Sequence, residues 1–255
     1  MRLKKQLILV ILLQCLVFGC STTLKKEEEL LDAQYYFDRG MEMITKKDYV
    51  KAITNFQTVV ESFADSPIVD HAQFMLAEAH FKSEEYLTAA FEYERVYKEY
   101  PSSKWAPEAQ YRKAMCYYME SPNYRLDQTN TLLAISEFNR FIDTYPLNSL
   151  VSEAQKYIED LRAKLAYKEY RAGEFYSKNK QYDAALFYFR YVINEYPRTI
   201  WADYSRFSIG EVHFKKKEFE QAKAMFFLVI NAEGDAELKD KATKMLDKIE
   251  SIESE

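Results

Sequence analysis

Residues Tyr182 to Pro197 read YDAALFYFRYVINEYP, and this stretch decides the fold of the chain. Its residues Tyr182, Ala185, Phe189 and Val192 follow one another at intervals of three and four, which is the period of one face of an α-helix. The closing proline ends the helix, because it lacks an N–H group and disfavours the helical conformation of the residue before it. The segment therefore predicts an amphipathic helix with a fixed end.

The same spacing recurs along the chain, always at the position of a second helix in a predicted hairpin. The other copies contain Tyr49, Ala52, Phe56 and Val59; Tyr86, Ala89, Tyr93 and Val96; Ala134, Phe138 and Phe141; and Phe219, Ala222, Phe226 and Val229. The prolines that close four of the five copies are Pro67, Pro101, Pro146 and Pro197. A small residue precedes the central alanine in the first helix of each hairpin: Gly40, Ala77, Ala114, Gly173 and Gly210.

This pattern resembles the tetratricopeptide repeat, in which small residues let two antiparallel helices approach and aromatic residues one turn away fill the space between adjacent hairpins. We therefore predict an all-α fold, a solenoid of about five helical hairpins. One hairpin cannot bury its apolar face alone, so stacking supplies the core. Such arrays present a surface to a partner, and recognition is the function that the pattern favours.

The expected domain organisation has three parts: a signal peptide at residues 1–19, a lipidated tether at 20–29 and the solenoid at 30–255. The repeats are predicted at roughly 33–67, 70–101, 107–146, 166–197 and 203–233. The turn-forming stretch that begins at Ser121 interrupts the third repeat and is expected to loop out of the stack. A long helix is predicted from about Ser152 to Lys178, and a capping helix from about Ala236 to Ile252.

The N-terminus carries a targeting signal. Arg2, Lys4 and Lys5 precede an apolar stretch that is short for a membrane span, and Cys20 follows it. The segment ending at Cys20 resembles a bacterial lipobox, which implies a lipid anchor at that cysteine; the alternative is an ordinary signal peptide with an incidental cysteine. By resemblance to enterobacterial sorting, Ser21 favours the periplasmic face of the outer membrane.

The composition and the absence of known motifs argue against nucleic-acid binding and against catalysis. Loss of the three N-terminal cations would change the formal net charge from −5 to −8, and an acidic chain offers no basic stripe to nucleic acid. No nucleotide-binding, metalloprotease or serine-hydrolase motif occurs, so we predict no catalytic residues, no cofactor and no metal. The histidines are interpreted as surface or inter-helix side chains, and Cys116 as a buried small hydrophobe.

A stripe of aromatic residues precedes the small residues of the first helices by three positions. In tetratricopeptide folds this position resembles the one that lines the concave face, so the stripe and its neighbours form a predicted groove for apolar, extended peptides. Its residues are Phe37, Met41, Phe74, Phe81, Tyr111, Met115 and Tyr118. The alternative is that the rings only pack between repeats.

The order of lipobox, tether, Tyr-Pro-ended repeats, insertion and long helix resembles the BamD family of outer membrane assembly lipoproteins, also called the YfiO or ComL family. The resemblance implies a non-enzymatic scaffold of the β-barrel assembly machinery. Its partners would be unfolded outer membrane proteins, the periplasmic domains of a BamA-like central subunit and other assembly lipoproteins. The residues that we expect to dock the central subunit are Tyr170, Arg171, Lys178, Arg206 and Phe207.

A second interpretation is a periplasmic tetratricopeptide adaptor that coordinates cell-wall synthesis with envelope constriction, similar to the Tol-Pal-associated protein. That family usually carries a coiled-coil segment ahead of its repeats, and this chain has no such heptad run.

Overall fold

The structure is a computed structural model that describes residues 32–254. The predicted signal peptide, Cys20 and the tether lie outside these residues. The described part contains α-helices and turns, which confirms the all-α prediction. Its helices are α1 (Ala33–Thr45), α2 (Tyr49–Ser62), α3 (Val69–Lys82), α4 (Tyr86–Glu99), α5 (Ala106–Met119), α6 (Thr129–Thr144), α7 (Val151–Lys178), α8 (Tyr182–Glu195), α9 (Ile200–Lys215), α10 (Phe219–Asn231) and α11 (Ala236–Glu253).

The chain divides into two compact units, one ending at Val69 and the other beginning at Asp70. The described part of the first unit is the hairpin of α1 and α2, which pack against each other. An aspartate directly before each helix caps its first turn: the side chain of Asp32 accepts a hydrogen bond from the Tyr35 amide, and that of Asp48 accepts one from the Lys51 amide. These caps satisfy amide donors that have no partner inside the helix.

The second unit continues the hairpins. The pairs α4 and α5, α5 and α6, α6 and α7, α7 and α8, α8 and α9, α9 and α10, and α10 and α11 pack together. The first helices of the last two hairpins, α7 and α9, also contact each other. Each helix of this unit thus buries its apolar face against near neighbours in the sequence, as expected for a repeat fold.

The centre of each hairpin is a small residue facing an aromatic ring. A Cβ added to Gly173 would lie 2.5 Å from Cε1 of Phe189, and one added to Gly210 would lie 2.6 Å from Cε1 of Phe226. The first unit repeats this arrangement with Gly40. The alanines of the second helices are fully buried: Ala52, Ala89, Ala134, Ala185 and Ala222. The predicted close approach of the paired helices is therefore confirmed.

Replacing Ala89 by leucine should lower the free energy of unfolding by about 1–3 kcal/mol, because the larger side chain overpacks the close approach. Ala89 lies in a core cluster with Phe74, Tyr93 and Cys116. Urea denaturation measures the change, with Thr88→Leu on the exposed side of the same helix as the matched control. Equal effects of the two substitutions would show that the repeat register is wrong.

The hairpin turns share one backbone geometry. Lys47, Glu84, Lys180 and Lys217 have φ angles of 59°, 63°, 60° and 62°, and each stands two residues before the aromatic that begins the second helix. Residues other than glycine adopt this left-handed backbone conformation at a cost in free energy. The packing of the two helices that the turn joins therefore holds it in place. The third hairpin has no such turn, because residues 120–128 replace it.

These residues of the third hairpin correct a prediction. Its composition predicts that the segment loops out of the stack, but it packs on α7. Lys164 of α7 donates hydrogen bonds to Ser121, with a distance of 2.8 Å to its hydroxyl. The ring centroid of Tyr124 lies 4.6 Å from that of Tyr167. These contacts join residues about forty positions apart in the sequence, and turn-forming composition carries no information about them.

The two remaining helices follow their predictions. Helix α7 has 28 residues, longer than one hairpin arm, and its buried residues run from Ala154 to Gly173. Helix α11 buries Leu238, Ala242, Leu246 and Ile249 against α10 and α9. The predicted capping face of the last helix is therefore confirmed.

Candidate partner-binding surfaces

The predicted aromatic stripe lies inside the hairpins. Each ring faces the aromatic of its own second helix, with ring centroids 5.5–5.8 Å apart: Phe37 and Phe56, Phe74 and Tyr93, Tyr111 and Phe138, Tyr170 and Phe189, and Phe207 and Phe226. Phe37, Phe74 and Tyr111 are each less than a tenth exposed. This corrects their assignment to a ligand groove, because a ring three positions before the small residue packs one turn away, against the partner helix.

The other predicted groove residues reach the surface to different extents. Met41 of α1 is 38% exposed. In the second unit, Phe81, Met115 and Tyr118 are half-buried, and the guanidinium of Arg112 lies 5.9 Å from the centre of the Phe81 ring. Peptide binding by these residues stays a prediction.

Of the predicted docking residues, one is buried and the others are exposed or half-buried. Tyr170 is buried, which raises the pKa of its phenol to about 12, so it contributes to the core instead of a docking surface. Arg171 and Lys178 are exposed on α7, and Arg171 pairs with Glu174 at 3.0 Å. Arg206 pairs with Asp203 within α9, and Phe207 is half-buried. Three cationic side chains therefore remain at the surface of the fourth and fifth repeats.

The histidines have local partners. His71 stacks on Trp105 with ring centroids 4.3 Å apart. Nδ1 of His80 lies 2.6 Å from a carboxylate oxygen of Glu85, and His213 pairs with Glu218 in the same way. The sequence interpretation of satisfied histidines agrees with these contacts.

A buried charged cluster was missed by the sequence analysis. Nζ of Lys113 lies 3.2 Å from Glu94 and 3.4 Å from Glu137, so one lysine of α5 joins carboxylates of α4 and α6. Burial lowers the pKa of Lys113, but Tyr97 and the two carboxylates outweigh it and raise the pKa overall. The one signal in the sequence is a lysine directly before the small residue Ala114, at the position where the paired helices approach.

A second polar cluster surrounds the thiol of Cys116. The hydroxyl of Tyr93 donates a hydrogen bond of 2.5 Å to Glu78, and Arg112 forms an ion pair with the same carboxylate. Cys116 is a free, fully buried cysteine, and burial raises the pKa of its thiol well above the usual range. Its interpretation as a buried hydrophobe is confirmed.

The Cys116 thiol should therefore resist alkylation in the native protein, because alkylation requires an accessible thiolate. Iodoacetamide labelling followed by mass spectrometry of the peptide that contains Cys116 should show little modification at neutral pH. The same treatment in urea, the control, should label it fully. Rapid labelling without denaturant would contradict the buried position.

Exposed apolar side chains lie mainly on the second helices, a feature that the sequence analysis did not single out. Nine of the seventeen large apolar side chains exposed within residues 32–254 lie there: Val50 of α2, Leu87 and Phe91 of α4, Leu132 and Leu133 of α6, Phe187 and Tyr191 of α8, and Phe227 and Leu228 of α10. The helical period places these residues on the face of each helix that is expected to be polar, so it does not predict apolar side chains there. Large exposed apolar groups are typical of protein-binding surfaces when they cluster.

The second unit also contains a cleft of about 440 Å³ beside these residues. Leu132 and Ile135 of α6 and Leu165 of α7 supply apolar walls. Arg162 of α7 and Arg198, in the turn after α8, supply two cations. The cleft can accommodate apolar groups and carboxylates together.

No helix within residues 32–254 is long and apolar enough to cross a membrane. The comparison with protein families is decisive: the model of YfiO, described as an outer membrane lipoprotein family, matches residues 30–226. The chain belongs to this family.

Relatives of the YfiO family carry the name outer membrane protein assembly factor BamD. The Caulobacter vibrioides protein is 26% identical over 195 residues, which cover 75% of this chain and 64% of the relative. The Rickettsia prowazekii protein is 26% identical over 199 residues, covering 78% of this chain and 79% of the relative. The chain thus spans about two thirds of the length of one relative and four fifths of the other.

Among solved structures, a tetratricopeptide repeat protein from Bacteroides fragilis is similar with a TM-score of 0.47 at 12% identity. The alignment covers 87% of this chain and 99% of that protein.

Proposed function

We propose that this YfiO-family chain is a non-enzymatic scaffold that takes part in the assembly of outer membrane β-barrel proteins. The family match over residues 30–226 carries the proposal, together with relatives named as assembly factors. The helical hairpins, with apolar and cationic side chains at the surface, supply the means of recognition. Depletion of the protein should reduce the β-barrel proteins of the outer membrane, measured by quantitative proteomics of that membrane.

The decisive experiment for the machinery is affinity purification from detergent-solubilised membranes. A BamA-like central subunit should be the main co-purifying protein. If cell-wall synthases or Tol-Pal components are recovered in its place, the assembly role is wrong and the adaptor role takes its place.

The fourth and fifth repeats are the proposed site for the periplasmic domains of that subunit. Arg171, Lys178 and Arg206 keep charged side chains at or near the surface there. Both proteins would be held at one membrane, so the high effective concentration makes a modest interface sufficient. Photo-crosslinkers at these three positions should trap the central subunit, whereas crosslinkers at Met41 should trap unfolded barrel proteins.

The half-buried side chains of Phe81, Met115 and Tyr118 are the proposed peptide-binding residues of the second unit. Serine at Phe81 and Met115 should weaken binding of an apolar, aromatic-ended peptide in fluorescence anisotropy. The matched control is Phe175→Ser, which removes an exposed aromatic of α7. Equal affinity of wild type and the double variant would reduce these residues to a packing role.

Membrane attachment through Cys20 is proposed from the lipobox-like segment. Several acyl chains give stable anchoring, since one chain alone binds only marginally. Cys20→Ser should leave an unprocessed precursor that takes up no labelled fatty acid. Normal processing and labelling of this variant would exclude lipidation at this residue.

A further inference from the structure

Helix α8 presents one face to solvent on which aromatic and cationic side chains alternate. Phe187, Arg190, Tyr191 and Asn194 are exposed and lie three and four residues apart, so they share one side of the helix. The rings of Phe187 and Tyr191 are 64% and 40% exposed. Aromatic residues and arginine are the types most enriched at the centres of protein interfaces.

This face continues into the cleft described above. Asn194 lines both that cleft and a smaller one, of about 240 Å³, beside Phe187, Arg190 and Tyr191. We call the continuous region the α8 surface; its main side chains are Phe187, Arg190, Tyr191, Leu132, Arg162 and Arg198. All of them belong to the second unit.

The arginines of the α8 surface differ from the other arginines of residues 32–254. Seven of the ten arginines in this range have a polar partner: Arg39, Arg95, Arg112, Arg125, Arg140, Arg171 and Arg206. The three whose side chains make no ion pair or hydrogen bond to the described residues are Arg162, Arg190 and Arg198, and all three are exposed on this surface.

Acidic side chains are present at the same surface but do not neutralise it. Asp183 and Glu195 line the two clefts, and neither forms an ion pair within residues 32–254. The two clefts are therefore lined by three arginines and two carboxylates, a local excess of one positive charge on a chain whose formal net charge is −5, while Arg198 also borders a neighbouring pocket that contains Asp203, Glu233 and Asp235. Because guanidinium groups bind carboxylates through paired hydrogen bonds, the complementary ligand carries carboxylates.

We propose that the α8 surface binds an extended segment of a partner protein in which acidic and apolar side chains point to the same side. Carboxylates would pair with Arg162, Arg190 and Arg198, and apolar side chains would pack on Leu132 and on the rings of α8. Phe187 to Asn194 covers about 10 Å of helix, and the cleft extends the surface further. A segment of about six residues at ~3.3 Å each has the matching length.

The spread of the arginines favours an internal segment over a chain terminus, because a terminal carboxylate held by Arg162 and Arg198 in one cleft would leave Arg190, which lines the other, without a partner. The inference deepens the proposed scaffold function and rests on it for its biological meaning. It names a surface on a second helix, whereas Arg171 and Arg206 lie on first helices. Peptide binding can be measured without any barrel assembly, so the two proposals can fail separately.

The test uses the purified full-length protein and a fluorescein-labelled peptide of about eight residues, amidated at its C-terminus, with internal Glu separated by Leu and Phe. Arg162→Gln combined with Arg198→Gln should weaken binding roughly tenfold or more, since charge-assisted hydrogen bonds are lost. Phe187→Ser combined with Tyr191→Ser should also weaken it. The matched control, Arg39→Gln combined with Arg125→Gln, removes the same charge elsewhere and should bind like wild type.

Two measurements complete the design. A peptide with Gln in place of Glu should lose affinity to a similar extent, and affinity for the acidic peptide should fall as sodium chloride is added. Circular dichroism melts of all variants should match wild type, because the replaced side chains are exposed. The expected pattern supports the α8 surface even if the co-purification experiment excludes the assembly machinery.

Several outcomes would overturn the proposal. Equal affinity of wild type and the Arg162/Arg198 variant would remove the role of the arginines, and equal affinity for the Gln peptide would remove that of the carboxylates. Binding only of peptides with a free C-terminal carboxylate would make the cleft a clamp for chain ends. A dimer in sedimentation that Phe187→Ser dissociates would make the surface a contact between two copies.

Discussion

Replacing Lys113 by alanine is expected to lower the free energy of unfolding by about 3 kcal/mol, the lower end of the range for breaking a buried ion pair. The Lys113 side chain is 6% exposed, and its partner Glu137 is 7% exposed. Without the lysine, the Glu137 carboxylate remains buried with Arg140 at 3.2 Å as its ion-pair partner. Arg140 is largely exposed, so it compensates only part of the loss. Urea denaturation followed by circular dichroism measures the effect.

Lys98 provides the matched control. It pairs with the same Glu94 that contacts Lys113, but its side chain is 67% exposed. Lys98→Ala should therefore change stability by less than about 1 kcal/mol. The double variant Lys113→Met with Glu137→Met should recover most of the loss, because no buried charge is left unpaired. Equal effects of Lys113→Ala and Lys98→Ala would mean that the cluster is solvated.

The pH dependence of the stability that Lys113 contributes follows from the direction in which its pKa is shifted. The folded-state pKa of Lys113 is raised, so its stabilising contribution is fully present below the unfolded pKa. The contribution is lost as the pH rises through the raised value. The difference in stability between wild type and Lys113→Met should therefore be constant near neutral pH and decrease only in the alkaline range.

Replacing Phe189 by alanine should cost about 3–5 kcal/mol, because a large ring leaves a cavity at the centre of the fourth hairpin. Phe189 is 1% exposed and faces both Gly173 and Tyr170. Phe187 lies two residues earlier on the same helix and is exposed, so Phe187→Ala should change stability by about 0.5 kcal/mol or less. The shift of the urea midpoint in the two variants measures the contrast.

A double-mutant cycle connects this ring to the glycine. Gly173→Ala alone should destabilise the protein, because the added methyl group would lie 2.5 Å from the Phe189 ring. In the Phe189→Ala background the same change should be neutral or stabilising, since the cavity provides space for the methyl group. Additive effects would contradict the direct contact between the two residues.

Much of this fold could be predicted because its contacts are local in sequence. The spacing of Ala185 and Phe189 places both on one helix face, and a small residue such as Gly173 in the preceding helix marks where the pair approaches. Proline fixes the ends of α4, α6 and α8, whereas α2 ends five residues before Pro67, and unbroken periodicity identifies the long α7. Family membership could be predicted because it follows from the order of these elements along the chain, and that order does not depend on any particular tertiary contact.

The candidate site was harder to predict, because a helix position alone does not say which neighbour covers it. Tyr111 was assigned to a groove, yet the structure packs it against Phe138. Successive residues on a helix are about 100° apart, so a small rotation of one helix decides whether a ring enters the hairpin or the open face. Phe187 and Phe189 are both phenylalanines of helix α8. Phe187 is exposed and Phe189 is buried because of the way the neighbouring helices pack against α8.

The sequence by itself determined the hairpin register, the small and aromatic pairs and the family, since the first two depend on a spacing that recurs within each hairpin and the third on the order of the elements. Tertiary structure alone decided three features: the burial of Lys113 between carboxylates of two neighbouring helices, the packing of Tyr124 on Tyr167, and the convergence of Arg162 and Arg198 on one cleft. The physical reason is that these contacts depend on how helices pack side by side. Charge and exposure at a contact are set by the neighbouring helix, which local periodicity does not specify.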